Sequence, residues 1–188
     1  MPLSLIAIRQ GDNEKVGNQF HPIAWLNGMV PDFSNLQQQE KDAVMQFSLL
    51  WSLFEAQVLE SSASSNLILK KCQKWSQRRV LKLETFQCFL DYFKERYIEQ
   101  GKPNNRFQHL HLRKNDRPEL VKNVLRGIET DLGNILAVLL IVVYRYRNNF
   151  FHGIKWAYNF HDQLGNFTNA NQLLAMVIRF NSQVGGTL

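Results

Sequence analysis

The chain has 188 residues and a mass of 22.0 kDa, which suits one domain, at most a domain with an arm. Hydrophobic residues make up 45% and charged residues 20%, and together with only 10 Gly and 5 Pro this excludes a disordered, fibrous or low-complexity chain. The net charge of +6 biases encounters mildly toward polyanions such as RNA, DNA or an acidic protein.

Cysteine usage and hydropathy indicate the compartment. Cys72 and Cys88 have no further cysteine partners, so neither a disulfide framework nor a zinc finger is expected. The stretch from Met1 to Gly11 has no basic residue before its apolar part and no small-residue cleavage site, so we expect no signal peptide. The longest apolar run, Ile135 to Val143, is far shorter than the roughly 18 residues of a membrane-spanning helix. We therefore expect a cytoplasmic protein without a membrane anchor.

The first part of the chain is irregular and then becomes helical. Residues 1–33 are rich in Gly and Pro and are interpreted as an arm, in which a short strand over Leu3–Ile8 would fit. Ser34 or Asn35 is a suitable N-cap, and apolar residues at helical spacing predict a helix over Leu36–Leu59.

Apolar spacing, with Gly, Pro and Ser at the boundaries, predicts five more helices: Leu67–Trp75, Leu83–Glu99, Pro118–Arg126, Thr130–Asn149 and Asn169–Phe180. The helix over Thr130–Asn149 is apolar on nearly every side, so it should lie at the centre of a core or against a second subunit. Its β-branched residues leave a buried strand as the alternative, but its length favours a helix. We predict an all-α bundle of five to six helices, with an irregular arm over residues 1–33 and a helical domain over residues 34–188.

The most informative segment is Tyr144–Gly153, which follows the most apolar helix and reads Tyr-Arg-Tyr-Arg-Asn-Asn-Phe-Phe-His-Gly. It places a guanidinium, an imidazole and two amides where unpaired polar groups are costly. Five positions separate Arg147 from His152, which puts them well apart around a continuous helix. They can meet one ligand if the helix unwinds near Phe151, or if a second chain completes the site.

The string Arg147-Asn148-Asn149-Phe150-Phe151-His152-Gly153 resembles the hallmark of the HEPN superfamily (higher eukaryotes and prokaryotes nucleotide-binding domains). That hallmark is an Arg, four residues and a His, often with a polar residue directly after the Arg. The string is similar to the form found in bacterial toxin and abortive-infection members. The resemblance implies a helical bundle that dimerises with two motifs facing each other. It also implies a metal-independent endoribonuclease without a cofactor, in a toxin–antitoxin or anti-phage defence role, with an antitoxin protein as a further partner.

These residue types suit RNA cleavage, because RNA carries its own nucleophile in the 2′-hydroxyl. The reaction needs a base for that proton, an acid for the leaving 5′-oxygen and positive charge on the phosphate. His152 can serve as base or acid, and Arg147 can hold phosphate oxygens through its planar fork. Asn148 and Asn149 are predicted to bind or orient the substrate through their amides. The expected products are a 2′,3′-cyclic phosphate and a 5′-hydroxyl.

Other interpretations of these residues stay open. Arg147 and Asn148 could instead cap a buried helix while His152 is a core histidine. Glu55 could pair with Arg147 across the bundle or occupy an exposed helix position. A second Arg-x4-His match, Arg106 to His111, lies in a polar linker and is interpreted as coincidental.

The remaining alternatives are a metal site and two other functions for the chain. His109 and His111 lack a nearby third donor, so no metal site is expected. One rival function is a non-catalytic module that binds nucleotide or RNA in the same groove. The other is an interaction protein, such as an antitoxin or scaffold, whose apolar helix docks a different partner.

Overall fold

The computed structural model of the chain describes residues 20–30, 33–151 and 162–185. It divides into two units, residues 1–35 and residues 36–188. Helix α1, Pro22–Met29, belongs to the first unit and lies in the region predicted to be irregular. Pro22, one of the prolines in the predicted arm, is at the first helical turn, where its missing N–H costs nothing. The strand predicted over Leu3–Ile8 lies outside the described residues.

The second unit is a helical bundle, which confirms the all-α prediction. Its helices are α2 Gln38–Val58, α3 Ser65–Gln77, α4 Gln87–Tyr97, α5 Asn105–Gln108, α6 Pro118–Leu125, α7 Leu132–Phe151 and α8 Leu164–Gly185. With α1, the described residues contain eight helices, slightly more than predicted. The only sheet in these ranges pairs two-residue strands, β1 Ile98–Glu99 and β2 Lys102–Pro103, in antiparallel register.

Helix α7 forms the centre of the core. Every residue from 135 to 143 is buried within the second unit. The sequence predicted that this helix lies either at the centre of a core or against a second subunit, and the structure places it at the centre of the core. Helix α3 packs along α7, and α2 packs along α8. The apolar helix is covered without a second subunit.

Helices α3 and α7 are antiparallel and unusually close. Gln73 Nε2 on α3 donates to Asn134 Oδ1 near the start of α7 at 3.0 Å, whereas Ser65 at the start of α3 lies at the other end of α7. A Cβ on Gly133 would lie 2.9 Å from Ser76 Cβ and 3.2 Å from the Cys72 carbonyl oxygen. Glycine at this position therefore allows the two helices to approach closely.

The boundaries of α8 differ most from the sequence prediction. Helix α8 begins at Leu164, five residues before the predicted Asn169, and continues to Gly185. Gly165 and Asn166 have turn chemistry in the sequence, but Tyr92 packs against Gly165 and donates to Asn166 Oδ1 at 3.0 Å. Tertiary contacts thus override the local turn preference.

The described residues contain no helix that is both long enough and apolar enough to cross a bilayer.

Candidate active site

The last two turns of α7 carry polar residues on two opposite faces. Successive helix positions rotate by about 100°, so Arg145 and Asn149 share one face and Arg147 lies about 200° from Asn149. Arg145 is 2% exposed, whereas the side chain of Arg147 keeps 32% exposure. His152 and Gly153 lie outside the described residues. Of the predicted pair Arg147 and His152, the structure therefore describes Arg147.

Arg145 is a buried cation whose three nitrogens all have partners. Nε donates to the Leu110 carbonyl oxygen at 3.1 Å, and one terminal nitrogen donates to Asn149 Oδ1 at 3.3 Å. The other terminal nitrogen lies 3.6 Å from Asp116 Oδ2. Burial lowers the pKa of Arg145, and the neighbouring Asp116 carboxylate opposes that shift. The whole hydrogen-bonding fork is committed to the fold.

Asp116 receives further bonds on both of its oxygens. The Ser65 hydroxyl, at the start of α3, makes a short hydrogen bond to Oδ1, and the Arg113 backbone N–H donates to Oδ2 at 2.7 Å. Asp116 is only 3% exposed, so these bonds and Arg145 together compensate a buried charge. This cluster attaches the segment before α6 to the end of α7 and the start of α3.

Asn149 completes the same buried face. Its Nδ2 donates to the carbonyl oxygens of His109 and Leu110 at 3.2 and 3.3 Å, while its Oδ1 accepts from Arg145. The residue is 1% exposed. The amide that was predicted to bind or orient substrate therefore holds the segment 109–110 against α7.

Arg147, on the opposite face, uses little of its donor capacity in contacts with the described residues. One terminal nitrogen donates to Asn148 Oδ1 at 3.0 Å, and the other lies 4.0 Å from Glu55 Oε2, beyond hydrogen-bond distance. Nε is buried and has no hydrogen-bond acceptor within the part of the chain that the structure describes. The guanidinium carbon lies 5.2 Å from the centroid of the exposed Phe151 ring.

Glu55 is held in place by other residues. Its Oε2 accepts from Trp51 Nε1 at 2.7 Å, and its Oε1 accepts from the Ala63 backbone N–H at 3.2 Å. Its side chain is 24% exposed. The structure brings Glu55 and Arg147 together as neighbours, at the outer limit of an ion pair. The carboxylate is oriented by its own helix and the following turn, and the guanidinium approaches it.

Arg145 is buried and Arg147 is partly exposed, and this difference determines which of them can bind a ligand. Arg145 cannot bind a ligand without losing three internal contacts. Arg147 is partly exposed and retains donors that can form a bidentate pair with a phosphate. Asn148, which is 5% exposed, accepts from Arg147 and fixes one side of the fork. The arrangement suits recognition of an anion at the end of a rigid, buried helix.

A cluster of tyrosines near this end of α7 was not found by sequence reasoning. The Tyr97 and Tyr146 hydroxyls are 2.5 Å apart, and Tyr146 donates to Asn166 Oδ1 at 3.1 Å. Burial raises the pKa of Tyr97 to about 12 and that of Tyr146 well above its usual value. Tyr146 immediately precedes Arg147, so this network fixes α7 against α4 and α8 beside the candidate site. Neither residue stands in a recognisable spacing, which is why the sequence gives no signal for the pair.

The second Arg-x4-His match lies apart from Arg147. Arg106 on α5 pairs with Asp162 at 3.3 Å, and Arg96 on α4 pairs with the same carboxylate at 3.2 Å. His109 lies beside Asn149, on the Arg145 face of α7. The His109 and His111 rings are 6.4 Å apart, and no group of three or more His, Cys, Asp or Glu residues suited to a metal ion occurs among the described residues.

No protein-family model, curated protein or solved structure matches this chain.

Proposed function

We propose that the chain is a metal-independent endoribonuclease of HEPN type, active as a homodimer in the cytoplasm, in a toxin–antitoxin or anti-phage defence role. The proposal starts from the Arg147-to-Gly153 string. The observation that carries it is the different use of two arginines on one helix. Arg145 uses its three nitrogens for contacts within the fold, while Arg147, at the first position of the string, has a partly exposed side chain and a single hydrogen bond among the described residues.

The reaction assigns roles to four residues of the string. Arg147 binds the scissile phosphate and compensates its growing charge. One copy of His152 removes the proton of the 2′-hydroxyl, the oxygen attacks phosphorus, and the bond to the 5′-oxygen breaks. The partner's His152 gives a proton to that leaving oxygen. The products are a 2′,3′-cyclic phosphate and a 5′-hydroxyl, so protons and atoms balance without an added ion. Asn148 orients Arg147, and Asn149 fixes the helix end that carries both.

The surface of α2 supports a dimer next to this site. Met45, Leu49 and Leu53 recur every four residues and are 54%, 73% and 43% exposed, forming an apolar stripe on the helix that also carries Glu55. Large apolar side chains that share one exposed face mark interaction surfaces. The apolar run of α7, residues 135–143, cannot serve this purpose, because it is already buried in the core. Glu55 lies about 120° around α2 from the centre of this stripe, so the two Glu55–Arg147 neighbourhoods would flank a two-fold contact through α2.

Two further parts of the proposal concern the compartment and the biological role. The free thiols Cys72 and Cys88, the first of them buried, fit a reducing cytoplasm. The toxin or anti-phage role, and an antitoxin partner with it, rest on the motif resemblance.

The test is cleavage of a single-stranded RNA by purified protein in the presence of a chelator. His152→Ala should lower the rate on the order of 100-fold or more, because proton transfer by a positioned side chain is worth about that much. His111→Asn, in the second Arg-x4-His match, is the control and should leave the rate unchanged. Asparagine tolerates the positive φ of 50° found at that position. End-group analysis should identify the cyclic phosphate.

Three results would overturn the proposal. Cleavage that survives His152→Ala removes the catalytic assignment. Cleavage that disappears in chelator removes metal independence. RNA binding by the wild type without any cleavage would favour the non-catalytic module.

A further inference from the structure

The charge of the chain is concentrated in one segment. Residues 61–83 contain six cations, Lys70, Lys71, Lys74, Arg78, Arg79 and Lys82, and no Asp or Glu. The whole chain has 22 basic and 16 acidic residues, so the rest of it holds 16 of each and is neutral. The entire net charge of +6 thus belongs to α3 and the turn that follows it.

These cations face solvent and are not neutralised by ion pairs. Lys70, Lys74 and Arg78 recur every four residues, so they form a row along one side of α3, about 12 Å long. All three are exposed, as are Arg79 and Lys82. None of the ion pairs found among the described residues includes a member of the segment 61–83. A row of unpaired cations of this kind attracts a polyanion and releases counterions when it binds.

An apolar cleft adjoins the basic row at the C-terminal end of α3. Its volume is about 390 Å³, within the range of small-molecule pockets. Its lining includes Phe86, Leu136, Met176, Phe180, Lys82 and Arg179. Lys82 of the basic segment lines the cleft, and the Phe180 ring lies 5.1 Å from that of the buried Trp75 on α3, so the cleft lies at the end of the basic segment. Cations beside an apolar, aromatic-lined cleft suit a single-stranded nucleic acid, whose phosphates and unpaired bases bind to different groups.

We infer that α3 and this cleft bind single-stranded RNA at a surface separate from Arg147. The inference rests on the proposed function for the identity of the polyanion as RNA. Because α3 and α7 are antiparallel, Lys74 and Arg78 lie near the start of α7, where Gln73 bonds to Asn134. Thirteen residues of α7 separate Asn134 from Arg147, which is about 20 Å. The substrate would therefore be an RNA of at least about six nucleotides, at 3.4 Å per nucleotide of a stacked strand.

The test compares two triple variants with equal loss of charge. The first is Lys70→Gln, Lys74→Gln and Arg79→Gln, which leaves intact the hydrogen bond from Arg78 to the Val184 carbonyl oxygen, 3.2 Å long. The control is Lys94→Gln, Lys102→Gln and Lys122→Gln, on other elements of the same unit. Four of the six positions lie in helices, where glutamine has a propensity close to that of lysine, and the other two, Arg79 and Lys102, are exposed positions outside helices. Both variants should therefore fold, and thermal melts verify this.

Binding is measured by fluorescence anisotropy with a 20-nucleotide 2′-O-methyl RNA, which lacks the 2′-hydroxyl nucleophile and so cannot be cleaved by the proposed reaction. Each phosphate contact with a single strand contributes about 0.7 to the slope of log K against log salt. Loss of three contacts should lower the slope by about 2 and weaken binding about 100-fold at 0.1 M salt. The control variant should bind within about 3-fold of the wild type, since its lysines lie away from the row.

Binding and cleavage results separate this inference from the proposed function. If the wild type binds the RNA through α3 but cleaves nothing, the inference stands and the ribonuclease assignment fails. If it cleaves, the α3 variant should lose activity on a 20-nucleotide RNA and retain it on a dinucleotide, which cannot span 20 Å. Equal binding by the two triple variants would overturn the inference. So would tighter binding to a duplex of the same sequence, or binding to anionic vesicles without binding to RNA.

Discussion

Replacing each of the two arginines by methionine should separate folding from function. Arg145→Met keeps the length and the apolar stem of the side chain but removes the cation from beside Asp116. Asp116, which is 3% exposed, then keeps its bonds from Ser65 and the Arg113 backbone but loses its counter-charge. Removing one partner of a buried ion pair costs about 3–5 kcal/mol. For a domain of this size, each kcal/mol shifts Tm by about 2–4 °C, so Tm should fall on the order of 10 °C.

Arg147→Met should behave in the opposite way. It removes one half-buried hydrogen bond to Asn148 and a weak contact at 4.0 Å with Glu55. These losses amount to less than about 1 kcal/mol, a shift in Tm of about 3 °C or less. Cleavage of RNA should nevertheless fall about 100-fold or more, because the phosphate loses its positive partner.

Calorimetry and a cleavage assay on the same preparations measure both quantities. The double variant Arg145→Met, Asp116→Asn is the internal control, because it removes the uncompensated charge along with its partner. It should recover a large part of the lost stability. Two results would contradict the assignment of Arg145 to folding and Arg147 to function. One is a Tm for Arg145→Met equal to that of the wild type. The other is an equal loss of stability in Arg147→Met and Arg145→Met.

Two further predictions concern pH and assembly. Because the pKa of buried Tyr97 is raised to about 12, and that of Tyr146 well above its usual value, the folded state holds protons that the unfolded state releases near pH 10. The free energy of unfolding that they contribute is therefore complete below about pH 10 and is lost as pH rises toward 12. Tyr97→Phe should reduce the slope of the free energy of unfolding against pH in this range, as measured by urea unfolding. Equal slopes for the variant and the wild type would contradict this account. Leu49→Asp, at a position 73% exposed, should convert a dimer into a monomer in light scattering while the variant keeps its helical circular dichroism, whereas Ile128→Asp, at an exposed position between α6 and α7, should leave the mass unchanged. A Leu49→Asp dimer would remove α2 from the interface.

The fold was largely predictable because the strongest helices have regular apolar spacing. The predicted Leu36–Leu59 and Thr130–Asn149 lie within two residues of α2 and α7 at each end. Local signals failed where tertiary contacts decide the structure, as at Gly165, where packing against Tyr92 keeps α8 helical. The prediction of an irregular segment failed at Pro22 for a different reason, because a proline can either break a helix or occupy its first turn.

The candidate site was predictable only in part. A motif search reaches Arg147, because the string that contains it is short and contiguous. The partner of Arg145 is Asp116, which lies 29 positions earlier in a polar stretch with no periodicity. Spacing cannot reveal such a pair. The rule that a buried charge needs a counter-charge could have predicted that some carboxylate faces Arg145, but not which one.

The position of Arg147 depends on the residues around it that have no part in the chemistry. Arg145 and Asn149 clamp one face of the last turns of α7 to the segment before α6, and Tyr146 ties the helix to α4 and α8. Three of the five side chains from 145 to 149 thus hold the helix rigid. A rigid support holds Arg147 in place with a single hydrogen bond among the described residues, and under the proposed function its terminal nitrogens then bind the phosphate. Loosening that support should therefore raise KM for RNA as well as lower Tm. Restoring Tm with the double variant at Arg145 and Asp116 should restore KM, whereas no stabilising change elsewhere should rescue Arg147→Met.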